Sequence, residues 1–361
     1  MFKKINSIIK NLILIDKPIV FSILTLCFFN ILIQYSASDK NLYKITSDII
    51  YLGLSFIVLL IVANINLNQL KSIIKPIYII SIILLICVLL FGISINGARR
   101  WLNIGIRIQP SEISKIITPL TIALYLSNKN KLNYINYIIA FTILIVPFIL
   151  IVKQPDLGTA ILVFFASFFV IFFAGLSWRI IIIASIIFIA ITPIIWHFLY
   201  EYQQHRILTL INPQSDPLGK GYHIIQGIIA IGSGGLYGKG YLNGTQTHLN
   251  FIPEKNTDFV ITVVAEEFGF IGILFLLLLY SIIIFRGLSI MKQSNNIFCQ
   301  TLSGSIAMAF MTYVVINMGM VSGIFPVVGV PLPLISYGGT ATFIIMLSIG
   351  ILLAINKHNK Y

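Results

Sequence analysis

One short segment, residues 248–269, carries the side chains best suited to do chemistry in this sequence. It holds four of the chain's eleven acidic residues, Glu254, Asp258, Glu266 and Glu267. Asp258 follows a Pro-Glu-Lys-Asn-Thr sequence and stands where a long apolar run begins. A carboxylate at membrane depth is costly and therefore indicates a functional site. We predict that Asp258 is a general base that takes a proton from a substrate hydroxyl.

The alternative for Asp258 is a plain helix-start acid, stabilised by the unpaired N–H groups of a helix N-terminus. Glu254 beside it and the glycine-rich residues before it favour the functional interpretation. Glu266 and Glu267 lie two turns further into the run. Because adjacent residues on a helix point about 100° apart, at most one of them can face a given cavity. We expect both to be buried carboxylates that hold a neighbouring helix by hydrogen bonds.

Glu112 and Lys115 form a second pair of charges within an apolar run. Their i,i+3 spacing puts both on one helix face. Each would be expensive at this depth alone, whereas a pair can persist and position a cavity wall. Structural pairing and a direct role in substrate binding are both open.

Basic residues cluster just before this helix. Arg99 and Arg100 adjoin Trp101. They predict either an interfacial anchor, with arginines reaching lipid phosphates, or a grip on a diphosphate through bidentate hydrogen bonds. Lys153 and Asp156 mark another charged helix start on the same side. Together these groups suit an anionic headgroup.

The composition indicates a polytopic membrane protein. Hydrophobic residues make up 58% of the 361, charged residues only 10%, and the mean hydropathy is +0.98. The net charge of +13 does not indicate nucleic acid, because the basic residues sit in short loops between apolar runs. The sequence contains no phosphate loop, dinucleotide fingerprint, Cys/His metal set or serine–histidine elbow.

A membrane-spanning helix needs about 20 mainly apolar residues. Ten runs approach this length, and they predict an all-α fold in a single domain, residues 1–361, with a long outer loop at about 200–257. The runs are 18–36, 48–65, 76–94, 112–127, 134–152, 158–175, 179–199, 258–285, 297–321 and 340–356.

The distribution of lysine and arginine predicts the orientation. With the N-terminus inside, the inner side carries thirteen basic residues, among them Lys3, Lys4, Lys10 and Lys360, and one acid, Asp16. An even number of helices puts both termini inside. The two elaborate loops, 200–257 and 322–339, then face outward, so we expect the functional site on the outer face.

Six motifs resemble one known family. In family order, they comprise residues 97–101 (Gly-Ala-Arg-Arg-Trp), 109–112 (Gln-Pro-Ser-Glu), 153–159 (Lys-Gln-Pro-Asp-Leu-Gly-Thr), 230–235 (Ala-Ile-Gly-Ser-Gly-Gly), 251–259 (Phe-Ile-Pro-Glu-Lys-Asn-Thr-Asp-Phe) and 331–339 (Pro-Leu-Pro-Leu-Ile-Ser-Tyr-Gly-Gly). The chain resembles the SEDS family (shape, elongation, division and sporulation) of membrane-embedded peptidoglycan glycosyltransferases. Pro331 resembles the elongation branch, since the division branch usually has Thr there. Asn256 replaces a His common in the family.

The resemblance implies a ten-helix protein of the bacterial inner membrane with both termini cytoplasmic. It implies polymerisation of lipid II into glycan strands on the periplasmic face, during elongation and rod-shape maintenance. Asp258 matches the family's essential aspartate, and Glu112 and Lys115 match its Glu/Lys pair. Ser336, within the last motif, is counted with the site.

The implied partners are a class B penicillin-binding protein, which is a transpeptidase, and the elongation machinery. No metal site is predicted, although a divalent cation, Mg²⁺ or Mn²⁺, at the departing diphosphate is left open. The alternatives to this function are a lipid II flippase, a division-type member of the same family, and a non-catalytic scaffold for the penicillin-binding protein.

Overall fold

The structure is a computed structural model that describes residues 16–359, apart from residues 96, 97, 104, 106, 130, 199, 200, 217, 218, 250 and 253. Four of the basic residues used to predict the orientation, Lys3, Lys4, Lys10 and Lys360, lie outside this range, as do Gly97 and Pro253 of the family motifs.

The described chain is mostly helical, with one small sheet. In order, its elements are α1 (Lys17–Ala37), α2 (Leu42–Ala63), α3 (Leu67–Phe91), β1 (Ile93–Ile95), β2 (Ala98–Asn103), β3 (Arg107–Ile108), α4 (Pro110–Ser127), α5 (Tyr134–Lys153), α6 (Leu157–Phe173), α7 (Trp178–Phe198), α8 (Glu201–Ile211), a 3₁₀ turn (Pro213–Ser215), α9 (Lys220–Gly234), α10 (Thr245–His248), α11 (Val260–Gln293), α12 (Ile297–Val321) and α13 (Gly339–Asn359).

A helix stands at each of the ten predicted apolar runs. Seven of the helices in the described chain are long and apolar enough to cross a membrane: α1, α2, α3, α5, α11, α12 and α13. Helices α6 and α7 are apolar but give shorter segments. The helical class and the multi-pass membrane architecture are confirmed, whereas the count of ten spans stays a prediction.

Local sequence explains where several helices begin. The side chains of Asp16, Asn41 and Asn66 precede α1, α2 and α3 and accept hydrogen bonds from backbone N–H groups of the first turn. Asp156 and Asn296 do the same for α6 and α12. Each short polar side chain satisfies donors that have no partner inside the helix.

A small antiparallel sheet follows α3 and was not predicted. Its order is β1-β2-β3, with Ile93 paired to Trp101 and Leu102 paired to Ile108. The strands are two to six residues long, too short for a clear alternating pattern in the sequence. The sheet holds the two arginines of β2 near the start of α4.

The helices pack around one large apolar core. Helix α11 packs against α1, α9 and α12, while α12 also packs against α6. Helix α4 lies between α3, α5 and α6, and α2 packs against α13. Large apolar side chains on α2, α3, α5 and α7 point outward instead, as expected for surfaces that face lipid.

Helix α11 is broken near its N-terminal end, and the glycine-rich stretch after α9 fills the break. Gly269 has φ of 66° and ψ of −160°, which is not helical. Backbone groups freed by the break bond to residues 235–240. These bonds run from Lys239 N to Glu266 O (2.9 Å), from Gly240 N to Glu267 O (3.1 Å), from Phe270 N to Gly235 O (2.9 Å) and from Ile271 N to Leu236 O (3.2 Å).

The break requires glycine on both sides. A Cβ on Gly269 would lie 2.3 Å from the backbone nitrogen of Gly238, and a Cβ on Gly238 would lie 2.2 Å from the carbonyl oxygen of Glu267. Irregular backbone at membrane depth is tolerated where it packs on protein. The dense glycines of residues 232–240 therefore let this loop lie directly against the segment that follows Asp258.

Candidate active site

Asp258 lies in a turn that leads into α11. Residues 254–259 form this turn, and the helix begins at Val260, two residues later than predicted. The N–H groups of Thr257 and Phe259 both donate to the carbonyl oxygen of Glu254, at 3.1 Å. The Asp258 side chain is half-buried. It thus stands just before the helix N-terminus, where the positive end of the helix dipole favours a carboxylate.

Buried polar groups from three other elements hold the backbone of this turn. The backbone carbonyl oxygens of Asn256, Thr257 and Asp258 each accept at least one hydrogen bond from another element. The donors are the Asn317 amide to Asp258 O (2.9 Å), the Ser336 hydroxyl to Thr257 O (2.5 Å), and both the Gln34 amide (3.0 Å) and Tyr337 N (2.8 Å) to Asn256 O. The turn is therefore fixed from α1, α12 and the loop before α13 together.

Ser336 connects this turn to its own loop as well. Its hydroxyl oxygen accepts a hydrogen bond of 2.7 Å from Leu332 N while the hydroxyl donates to Thr257 O. The Ser336 side chain is almost wholly buried. Among the residues predicted to support the site, Ser336 thus acts on the backbone beside Asp258.

The Asp258 carboxylate faces Gly329. An added Cβ at Gly329 would lie 3.3 Å from Oδ2 of Asp258, and Gly329 has a φ of 73° that favours glycine. Gly158 packs on the same strip of backbone, because its Cβ would lie 2.5 Å from the carbonyl oxygen of Val328. Gly158 of the 153–159 motif and the Asp258 carboxylate therefore lie against the same short backbone segment, residues 328–329.

Asp156 contacts Arg100 and the Gln109 side chain. Its carboxylate caps α6, accepts a hydrogen bond of 2.8 Å from the Gln109 amide, and lies 3.8 Å from a guanidinium nitrogen of Arg100. Arg100 also donates to the carbonyl oxygen of Pro155. Arg99 is exposed on β2, and Lys153 ends α5 beside Asp156. Anchoring to the membrane and gripping a diphosphate stay predictions for these cations.

Glu112 and Lys115 form the predicted pair. Lys115 Nζ lies 2.6 Å from Glu112 Oε1, both side chains are nearly buried, and the ammonium lies 5.5 Å from the ring centre of Tyr313. Glu112 Oε2 accepts no hydrogen bond from the described part of the chain. The pair ties the start of α4 to α12, the helix that also carries Asn317.

Glu266 holds the short helix α10 together with Lys239, which lies before that helix. It is fully buried. Its carboxylate accepts four hydrogen bonds from residues 239–247: Lys239 Nζ (2.8 Å), Thr245 Oγ1 (3.1 Å), Gln246 N (2.9 Å) and Thr247 N (3.0 Å). Through these four hydrogen bonds Glu266 supports the segment that precedes Asp258 in the chain.

Glu267 points to α1, in a different direction from Glu266, as expected for adjacent helical residues. The Ser36 hydroxyl donates to it, and His248 Nε2 lies 3.3 Å from Glu267 Oε1. The other ring nitrogen of His248 lies 3.1 Å from Asp39. His248 thus bridges two carboxylates, one from α11 and one from the turn between α1 and α2.

Lys255 completes this network. Its Nζ lies 2.9 and 2.8 Å from the two carboxylate oxygens of Asp39 and donates to Thr247 O at 2.8 Å. Burial acts to raise the pKa of Asp39, but the hydrogen bonds from Lys255 and His248 outweigh it and hold the pKa below its usual value of 3.8. The turn that carries Asp258 is thereby tied by charge to the turn that follows the C-terminal end of α1.

Glu254 lies at the open side of the turn. Its side chain is exposed and accepts a hydrogen bond of 2.6 Å from the Thr257 hydroxyl. It borders a polar cavity of about 260 Å³ between the turn and the start of α2, lined by Gln34, Ser38, Lys44, Ile45, Glu254, Asn256, Thr257 and Tyr337. This space could admit the polar part of a substrate beside Asp258.

Sequence reasoning missed the residues that position Asp258 from afar. Asn317 and Gln34 lie in apolar runs that each hold only one other amide, Gln300 and Asn30 respectively, and that rarity was the available signal. The contact between His248 and Asp39 left no local signal, because the two residues are 209 positions apart in the sequence. Among the described residues, no group of three or more His, Cys, Asp and Glu side chains is placed to hold a metal ion.

Comparison with known proteins adds independent evidence. The family model for FtsW, RodA and SpoVE, described as cell cycle proteins, matches residues 10–361. The peptidoglycan glycosyltransferase MrdB of Escherichia coli strain K12 is 44% identical to this chain over 350 residues, which cover 96% of this chain and 94% of MrdB.

Two solved structures share the fold. A peptidoglycan synthase complex, described as coordinating polymerization and crosslinking, contains a chain that is 30% identical, with a TM-score of 0.83 and coverage of 96% of this chain and 98% of that one. The rod shape determining protein RodA of Thermus thermophilus is 25% identical, with a TM-score of 0.73 and the same coverage. The chain therefore belongs to the SEDS family, the family of FtsW, RodA and SpoVE.

Proposed function

We propose that this protein is a peptidoglycan glycosyltransferase that polymerises lipid II into glycan strands during cell elongation. The observation that carries the proposal is the Asp258 carboxylate, half-buried at the mouth of α11 on a turn whose carbonyl groups are held by Asn317, Ser336 and Gln34. Family membership and similarity to a peptidoglycan glycosyltransferase support the reaction type. Similarity to MrdB and RodA supports the elongation role over the division role.

In the proposed reaction, Asp258 takes the proton from a hydroxyl of the acceptor sugar. The resulting oxygen nucleophile attacks the anomeric carbon of the lipid-linked donor, and undecaprenyl diphosphate departs with its bonding electron pair. Rigid placement of the base is what makes such a step efficient, because orientation errors of about 1 Å can cost about 10²-fold in rate. The fixed carbonyl groups around Asp258 provide this placement.

The departing diphosphate gains negative charge, and cations near its position would stabilise it. Arg99, Arg100 and Lys153 are the candidates, because Arg100 lies 3.8 Å from Asp156, Arg99 precedes it on β2, and Lys153 ends α5 three residues before Asp156. The described residues offer no cluster of three or more His, Cys, Asp and Glu side chains that would hold Mg²⁺ or Mn²⁺. A cation bound to the diphosphate itself would supply further charge neutralisation.

The proposed setting is the bacterial inner membrane, with both termini in the cytoplasm and Asp258 at the periplasmic face. A class B penicillin-binding protein is the proposed partner, and it would crosslink the strand that this protein makes. Coordination of polymerization and crosslinking in the similar synthase complex supports this assignment.

The test is polymerisation of labelled lipid II by the purified full-length protein with its penicillin-binding partner. We expect Asp258→Asn to lose polymer formation by about 10²-fold or more while keeping its melting temperature and its partner, because general base catalysis contributes about 10²- to 10⁴-fold. Glu201→Gln, an exposed acid at the start of α8, is the matched control and should retain activity. Near-normal polymer from Asp258→Asn would refute the assignment. Transport of labelled lipid II across proteoliposomes without polymer would favour the flippase instead.

A further inference from the structure

A second cleft lies at the end of the helix bundle opposite Asp258. It has a volume of about 530 Å³ and opens between α3, α4 and α5. Its lining combines two lysines, two tyrosines, two other polar residues and three aliphatic ones: Lys75, Tyr78, Ile79, Thr121, Leu124, Tyr125, Asn128, Lys129 and Ile143. Volumes of about 300–1,000 Å³ are typical of small-molecule sites. The proposed transferase reaction uses none of these residues.

The two lysines give the cleft a positive charge that the protein does not neutralise. No Asp or Glu lines it, and within the described chain neither Lys75 nor Lys129 takes part in an ion pair. Lys129 Nζ lies 5.1 Å from the ring centre of Tyr125, which keeps the ammonium at the cleft. Asp16, the acid predicted for this side, is already paired with Arg286.

The position of Lys75 makes this charge informative. Lys75 is exposed and lies on α3 immediately before the predicted apolar run 76–94, about 12 Å along the helix from Leu67 at 1.5 Å per residue. A lysine at this end of a membrane helix meets lipid headgroups and water. Because no Asp or Glu lines the cleft, the anionic group that matches Lys75 comes from outside the chain.

The cleft is polar and cationic at one end and aliphatic at the other, as a phospholipid has a charged headgroup and an apolar chain. Asn128 and Lys129 follow the end of α4, at the water-facing end. Ile79 lies one turn deeper than Lys75 on α3, and Leu124 lies one turn deeper than Asn128. Ile143 lies about 14 Å along α5 from its first residue, by the same rise per residue. The cleft therefore offers cations at its mouth and aliphatic walls toward the middle of the membrane.

The hydroxyl groups of the cleft donate to oxygen atoms of the protein itself, so the lysines are the main hydrogen-bond donors toward a ligand. Tyr78 donates to Ile143 O (2.9 Å), Thr121 donates to Ile117 O (2.7 Å), and Tyr125 donates to Asn136 (3.2 Å). Each ammonium carries three N–H donors and no acceptor. A ligand that offers several anionic oxygens and no essential donor matches this set, and a phosphodiester is such a group.

From these features we propose that the cleft binds an anionic glycerophospholipid, with its phosphate between Lys75 and Lys129 and an acyl chain along Ile79, Leu124 and Ile143. Basic pockets between membrane helices recognise lipid phosphates in this way. The inference goes beyond the proposed transferase function and does not depend on it. The proposed orientation places the lipid in the cytoplasmic leaflet.

Native mass spectrometry of the full-length protein tests the proposal. The protein in detergent micelles is titrated with phosphatidylglycerol, with zwitterionic phosphatidylethanolamine, with undecaprenyl phosphate or with inorganic phosphate. The complexes are then released from the micelles in the mass spectrometer. We expect phosphatidylglycerol to bind best and Lys75→Gln or Lys129→Gln to weaken it about fivefold each, because one basic side chain near an anionic lipid surface contributes about 1 kcal/mol. The double variant should lose more than either single one, and Lys75→Arg with Lys129→Arg should retain binding.

Two variants serve as matched controls. Lys131→Gln removes an exposed cation from the same loop but not from the cleft. Lys292→Gln removes the single lysine of another cleft, of about 560 Å³, next to α11. Both should bind phosphatidylglycerol like the wild type. The proposal is overturned if the double Gln variant binds it equally well, if both controls weaken it as much, or if phosphatidylethanolamine, undecaprenyl phosphate or inorganic phosphate binds as tightly.

Discussion

The side-chain amide of Asn317 donates a hydrogen bond of 2.9 Å to the backbone carbonyl of Asp258. Its second N–H donates to the carbonyl oxygen of Val330 at 2.7 Å, and the residue is completely buried. One amide on α12 therefore joins the turn that carries the proposed base to Val330, the residue that follows Gly329. An unmet buried carbonyl costs about 1–3 kcal/mol, so this link resists distortion of the turn.

We predict that Asn317→Leu lowers the rate of lipid II polymerisation by about 10- to 100-fold, because it frees the Asp258 carbonyl and lets the carboxylate move by a fraction of an ångström or more. The measurement is turnover at saturating lipid II, with substrate binding assayed separately. Thr301→Val, a buried change on the same helix whose hydroxyl bonds only within that helix, is the control. Wild-type turnover in Asn317→Leu would contradict the positioning role.

Charge in an apolar background was the strongest guide that the sequence offered. It pointed to Asp258, to the Glu112–Lys115 pair and to the buried Glu266 and Glu267, because ionisable residues are conspicuous where apolar residues dominate. The i,i+3 spacing of the pair is a local property of a helix and could be interpreted directly. Apolar run length likewise gave the order of the long helices.

The contacts that fix Asp258 could not be predicted, because they join residues far apart in the chain. Asn317 and Asp258 are separated by 59 positions, and Gln34 and Asn256 by 222. The break at Gly269 could not be predicted from the sequence for another reason. A single glycine in an apolar helix is tolerated, and only the approach of residues 235–240 makes it necessary. Tertiary packing, not local pattern, decides both features.

Gly269 supplies the second prediction. Gly269→Ala should lower the melting temperature and loosen residues 235–240, because a Cβ would lie 2.3 Å from the backbone of Gly238 at a positive φ. Strain of this kind costs about 1–3 kcal/mol. Gly53→Ala, within α2 with open space around it, is the matched control and should not destabilise the protein. Equal melting temperatures for the two variants would show that the break is dispensable.

The Glu112–Lys115 pair allows a third prediction that separates its two interpretations. Lys115→Met should destabilise the protein by about 3–5 kcal/mol, since it leaves a buried carboxylate without its cation. Adding Glu112→Gln to Lys115→Met should recover much of that loss if the pair acts structurally. Thermal unfolding and polymerisation are measured on the single and double variants. A double variant that regains stability but stays inactive would assign the pair to substrate binding.

The fourth prediction concerns the pH dependence of the charge network around Asp39. Its carboxylate contacts Lys255 and His248, and His248 in turn contacts Glu267. Although burial opposes it, hydrogen bonding to Lys255 and His248 leaves the pKa of Asp39 below 3.8. A lowered folded-state pKa means that the ionised carboxylate stabilises the fold at pH values above 3.8. Protonation removes that contribution as the pH falls below 3.8 through the folded-state pKa.

We therefore expect hydrogen exchange of residues 245–257 in the wild type to be protected by this network at neutral pH and to lose that protection below about pH 4. Asp39→Asn should exchange faster at neutral pH and show a smaller further change on acidification, because the titrating group is gone. Because the Asp39 side chain is 46% exposed, solvent screening makes the effect modest. Glu254→Gln, which removes a nearby exposed acid outside the network, should keep the wild-type profile. An Asp39→Asn profile that matches the wild type across this range would show that Asp39 does not hold the segment next to Asp258.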